Sequence, residues 1–143
     1  MRVAFIFLAA LLVAACSNET AGAAKAPADY GPEDAKLKAV LMYADWCPSC
    51  RALDPKLAAV RALQIDGVRY VTLDYTRKDV DAVLAAADAA GVGPAIRDRF
   101  ERKIKTGLVL LVDADAMTIV GEIDRSLSVD DIADAVRKAV AAA

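Results

Sequence analysis

Apolar positions fall along this chain in three rhythms. Residues 3–15 form an uncharged apolar run with no polar alternation, and residues 17–30 are small, polar and aperiodic. The third rhythm begins with Ala39-Val40-Leu41-Met42-Tyr43-Ala44, a short continuous apolar run that predicts a strand buried on both faces. From Pro48 to about Leu63 the period becomes helical, with Leu53, Leu57 and Val60 at i, i+4 and i+7. Pro55 predicts a kink there, because proline removes a backbone donor and crowds the preceding turn. Residues 68–73 predict a second strand. A helix follows over 79–90, with Val80, Val83, Leu84 and Ala87 on one face, and Gly91-Val92-Gly93-Pro94 ends it. Pro94 can open a short helix toward Lys103. Residues 108–112 are the most apolar strand, 113–116 a turn, and 118–123 the returning hairpin partner. Ser128 caps a last helix striped by Val129, Ile132, Val136 and Val140. This order predicts an α/β domain over 31–143, a central mixed β-sheet flanked by helices. It is large enough to hold a core without disulfide staples.

Composition narrows what such a domain does. The 143 residues suit one domain, and 18 basic against 20 acidic side chains give a net charge of −2. That balance argues against nucleic acid as a partner. There is no histidine, so Ser-His-Asp triads, Cys-His pairs and imidazole metal ligands are excluded. Three cysteines, Cys16, Cys47 and Cys50, carry the candidate chemistry.

The first of them belongs to the leading segment. A thirteen-residue apolar run is short of the ~20 residues that span a bilayer. With Arg2 before it and small residues after it, residues 1–15 read as a secretory signal peptide. Leu11-Leu12-Val13-Ala14-Ala15-Cys16 resembles the bacterial lipobox, which implies cleavage before Cys16 and acylation of that cysteine. An ordinary signal peptide with a coincidental cysteine is one alternative, and a cytosolic protein with a buried N-terminal helix is another, disfavoured because nothing polar alternates within the run. Several acyl chains on Cys16 anchor firmly, where one alone is marginal. Residues 16–30 are then a lipid-anchored flexible tether. Ser17 stands where an aspartate would resemble an inner-membrane retention signal, so the periplasmic face of the outer membrane is the expected location. Cleavage removes Arg2 and leaves 17 basic against 20 acidic side chains, a net charge of −3.

Cys47 and Cys50 sit where the first strand gives way to the first helix. Residues three apart on a helical turn share a face and come within disulfide range. The helix dipole and unpaired backbone donors favour a thiolate at Cys47, and Pro48 suits the first helical position. Thiol–disulfide exchange is the expected chemistry, with Cys47 attacking and Cys50 resolving. Asp45 is a candidate cap for the helix start, and Met42 and Tyr43 are expected to pack in the core. Trp46 is expected to form a platform beside the sulfurs, with core filler as its alternative. A structural disulfide is one rival reading of the pair. The other is a non-catalytic metal- or cluster-binding module, which would need ligands from another chain. The basic stretch 96–105 reads as a solvated helix face, with docking to lipid headgroups or an acidic partner as its alternative.

Tyr43-Ala44-Asp45-Trp46-Cys47-Pro48-Ser49-Cys50, followed by Pro55 five residues on, resembles the thioredoxin-family active site. The Tyr-Ala-Asp-Trp-Cys string is particularly similar to the C-terminal domain of transmembrane thiol:disulfide interchange reductases, as is Asp74-Tyr75-Thr76 with Asp79. The resemblance covers roughly residues 36–143 and is strongest over 39–55. It implies a thioredoxin-like fold, a redox-active Cys47/Cys50 pair, and a substrate surface including Trp46, Pro48, Ser49 and Thr106. Three positions depart from the pattern. Leu41 stands where the family carries a buried carboxylate, and Thr72 where a lysine often faces it. Thr106 stands where a cis-proline is usual, and a trans bond is expected there because a cis bond without proline costs ~2.5–4 kcal/mol. The expected protein is an exported, membrane-anchored, monomeric thiol:disulfide oxidoreductase. No cofactor and no metal is expected, and its partners would be protein disulfides or a membrane thiol reductase.

Overall fold

Nearly every side chain from Leu37 to Tyr43 is buried, and these residues form β1 (Leu37–Tyr43), an interior strand of the sheet. The computed structural model describes residues 26–143. The signal peptide over 1–15, the anchor residue Cys16 and the tether as far as residue 25 lie outside the described residues. After β1 come α1 (Pro48–Ala62), β2 (Val68–Asp74), α2 (Val80–Ala89), α3 (Gly93–Phe100), β3 (Leu108–Asp113), β4 (Thr118–Asp124) and α4 (Val129–Ala142). The sheet order is β2-β1-β3-β4, with β1 parallel to β2 and the remaining pairs antiparallel. The protein is an α/β domain with a four-stranded mixed sheet flanked by helices.

The twofold alternation of strand side chains divides the core between the two faces. Leu37, Ala39, Leu41 and Tyr43 pack with Leu53, Leu57 and Val60 of α1 and with Ile132, Ala133, Val136 and Ala139 of α4. Val40 and Met42 point the other way, to Val83 and Ala87 of α2 and Ala95, Ile96 and Phe100 of α3. The helical stripes lie as the periodicity predicts, except that Val80, Leu84, Val129 and Val140 are only half-buried. α1 runs through Pro55 as one helix, with Pro48 in its first turn. A capping box of Ser128 and Asp131 starts α4. The basic stretch is tied down on the protein's own surface, since Arg97, Arg99 and Arg102 pair with Asp88, Glu122 and Asp81. Solvent screens exposed pairs of this kind, and they fit a solvated face.

Contacts with the sheet begin just before residue 31. Tyr30 pairs antiparallel with Tyr70, its N–H donating to the Tyr70 carbonyl at 3.0 Å and its carbonyl accepting at 2.7 Å. The Thr72 N–H donates to Asp29 Oδ1 at 2.9 Å, and Arg69 donates to the Gly31 carbonyl at 3.0 Å. Residues 29–31 thus form a strap over the outer edge of β2, where bare backbone groups would otherwise invite another strand.

Candidate active site

β1 ends against Ala44, and four residues after Tyr43 the chain turns into α1. Cys47 is the N-cap of that helix, in extended backbone conformation, and its sulfur accepts the Cys50 N–H at 3.3 Å. Asp45 is therefore not the cap. A sulfur takes the place a serine or aspartate oxygen usually fills, so an orphan helix donor is directed at Cys47 Sγ. Cys47 is buried but for 5% of its surface, and Cys50 is fully enclosed beneath it. Both are free thiols. The Cys50 proton has two acceptors in reach, the Met42 carbonyl oxygen at 3.6 Å and the Cys47 sulfur.

These surroundings drive the two acidities apart. Burial by itself pushes the Cys47 thiol up. Hydrogen bonds from the Cys50 thiol, the Thr106 hydroxyl and the backbone N–H groups of Cys50 and Ser49 outweigh it, and Cys47 falls below the ordinary thiol value. Burial is also the first cause at Cys50, joined by its hydrogen bond to Cys47 and by the Cys47 charge. Cys50 is pushed up to about 12. Opposed shifts of this kind separate a nucleophile from a protonated reserve. In the native reduced protein, iodoacetamide is expected to modify Cys47 alone, with the half-maximal rate below the free-thiol value of ~8.5. Cys50, fully enclosed, should stay unmodified across that range. A Cys47 profile centred at or above the free-thiol value, read by mass spectrometry of the modified peptides, would contradict this geometry.

The predicted substrate residues come together around that sulfur. Thr106 lies in the loop before β3 and donates to Cys47, and Ser49 lies beside it at the helix start. No peptide bond among the described residues is cis, in keeping with the trans bond expected before Thr106. Pro48 is exposed in the first turn. Trp46 is 45% exposed, so it is not core filler. Its indole N–H donates to the Thr76 carbonyl at 3.0 Å, while the Thr76 hydroxyl accepts the Asp45 N–H at 3.0 Å. The Lys78 ammonium lies 5.2 Å from the centre of the Trp46 ring, a contact of ~0.5–1 kcal/mol at an exposed site.

Several groups at the site escaped the sequence reading. Gly107, at φ +83°, lets the loop pass so close that a Cβ there would lie 2.5 Å from Ser49 Cβ and 3.1 Å from Cys47 Sγ. Its N–H donates to the Met42 carbonyl at 2.8 Å, the same oxygen that Cys50 faces. Met42 packs in the core as expected, but its backbone joins the loop to the dithiol. Thr76, known from the sequence only within Asp74-Tyr75-Thr76, and Lys78 hold Trp46, a role the sequence did not assign them. A glycine directly before the most apolar strand was the signal available for Gly107.

Leu41 is buried on the α1 side of β1, in register with Thr72, so no carboxylate occupies that place. No Asp, Glu, Lys or Arg among the described residues is buried. Tyr43 shares the cysteines' core cluster, and burial raises its phenol above the ordinary value, as do Asp45, Asp74, Cys50 and Asp54. Among the described residues no group of three His, Cys, Asp or Glu side chains gathers to hold a metal. No family model, no curated protein and no solved structure matches the chain.

Proposed function

We propose that this protein is an exported, lipid-anchored thiol:disulfide oxidoreductase of thioredoxin-like fold. The observation that carries the reading is the placing of two free cysteines one helical turn apart: Cys47 caps α1 and its sulfur accepts the Cys50 N–H at 3.3 Å, Cys50 is fully enclosed beneath it, and their acidities are shifted in opposite directions. The strand–helix junction, the Trp46 platform and the Thr106-Gly107 loop support it.

The Cys47 thiolate attacks one sulfur of a substrate disulfide, forming a Cys47–substrate bond and breaking the substrate's own S–S bond. The departing thiolate takes up a proton, and the thiol of Cys50 is a source of one. Cys50, as thiolate, then attacks Cys47 Sγ. The Cys47–Cys50 disulfide forms, the second substrate sulfur leaves as thiolate, and solvent protonates it. Two electrons pass from the dithiol to the substrate. Recharging needs a thiol donor, for which a membrane thiol reductase is the fitting partner in an oxidising compartment.

Equilibration of the mature protein in glutathione redox buffers tests the reading, with metal analysis alongside. The expected result is a reversible two-electron Cys47–Cys50 couple and no stoichiometric metal. Bound metal without such a couple would replace this reading with a metal-binding module.

A further inference from the structure

The strap on β2 has a direction. Arg69 bonds to Gly31, Tyr70 pairs with Tyr30, and the Thr72 N–H meets Asp29. Read from Gly31 back toward Ala26, the chain therefore climbs β2 toward Asp74. That end of β2 belongs to the dithiol. Asp74 is in register with Tyr43, the Tyr75 N–H donates to the Tyr43 carbonyl at 2.8 Å, and the Thr76 carbonyl holds Trp46. Ala26, further along in that direction, packs against the core on the α1 and α4 face of the sheet.

The C-terminus lies at the opposite end. Val140 Cγ1 stands 3.1 Å from where a Cβ on Gly67 would be, and the Gly67 carbonyl accepts the N–H of Leu37, at the start of β1. Strands of seven residues at ~3.3 Å each separate the two ends of the sheet by roughly 23 Å.

We infer that the strap turns the Cys47 end of the domain toward the membrane holding Cys16, so that the partner is a dithiol or disulfide of a membrane-embedded protein close to that surface. The inference rests on the lipid-anchor reading of Cys16. The ten residue steps from Cys16 to Ala26 reach at most ~36 Å. A chain entering beside the dithiol lets that end approach the anchored surface most closely. Entry at the far end would add most of the sheet's length between Cys47 and the bilayer.

Trp46 is the sole tryptophan of the sequence and adjoins Cys47, so it reports where this end sits. The full chain, purified from membranes with its anchor, is reconstituted into vesicles containing a dansyl-headgroup phospholipid, and energy transfer from Trp46 is measured. Two variants accompany it. One carries Cys16→Ser and a tryptophan-free membrane anchor joined through ten added residues after Ala143. The other is Tyr30→Pro, which deletes the N–H donated to Tyr70 and loosens the strap. Transfer in the native chain is expected to exceed that of the far-end-anchored variant severalfold, with Tyr30→Pro falling between them. Equal transfer in the native and far-end-anchored proteins overturns the orientation, and an unchanged Tyr30→Pro removes the strap as its cause. A native chain that fails to sediment with the vesicles overturns the anchor reading and this inference with it. The glutathione couple is measured separately and stands in either case.

Discussion

Cys50→Ser is expected to turn the protein from an exchanger into a trap. Cys47 in that variant keeps the backbone N–H of Cys50 and the Thr106 hydroxyl, so the first attack still occurs. The group that breaks the resulting bond is gone, and mixed disulfides on Cys47 accumulate. Cys47→Ser removes the nucleophile itself. Turnover of a disulfide substrate should then fall by a factor on the order of 10⁴ or more, the scale seen when a catalytic nucleophile is deleted. Non-reducing gels and peptide mass spectrometry read the trap, and a fluorogenic disulfide reads turnover. Full turnover in Cys50→Ser would sink the two-cysteine mechanism. The trapped partners also test the membrane orientation, since membrane proteins should predominate among them.

Gly107→Ala is the second large effect. The added methyl would lie 2.5 Å from Ser49 Cβ and 3.1 Å from Cys47 Sγ, at a φ of +83° that alanine tolerates poorly. The loop has little freedom to retreat, because the Gly107 N–H is fixed to Met42 O at 2.8 Å. A stability loss of about 2 kcal/mol is expected, a melting point lower by roughly 8 °C in a domain of this size. The displaced loop should also withdraw the Thr106 hydroxyl from Cys47, and the alkylation profile should move to higher pH. Gly91→Ala is the control. Its φ is +68°, but the new methyl would meet only the movable Lys38 Nζ at 2.9 Å. It should cost ~1 kcal/mol and leave Cys47 reactivity unchanged. Equal effects of both alanines on Cys47 would remove Gly107 from the site.

Most of the architecture was legible because it depends on short-range periodicity. The unbroken apolar run at 39–44 is what an interior strand requires, and Leu53, Leu57 and Val60 sit one turn apart because one face of α1 is buried. The half-burial of Val80, Leu84 and Val140 was not legible, since it depends on how far each helix is covered by its neighbours. The dithiol itself was visible from spacing alone. Its supports were not. The Thr76 clasp reaches Trp46 across 30 positions, and Gly107 meets Cys47 across a turn of the whole domain. No local pattern encodes either approach. The identity of the helix cap was missed for a different reason. Asp45, three residues before α1, is the acidic residue nearest the helix start, and a sulfur acting as cap has no compositional signature.

The complete enclosure of Cys50 bears on survival under oxidative stress as well as on exchange. Peroxide reaches Cys47 first and converts its thiolate to a sulfenic acid, the opening rung of a ladder whose later rungs are irreversible. One helical turn away waits a thiol that solvent oxidants do not reach. Its condensation with the sulfenic acid expels water and gives the same disulfide that normal turnover produces. On the proposed exchange mechanism, oxidation at Cys47 is thereby returned as a disulfide that one further two-electron reduction by a thiol donor reopens.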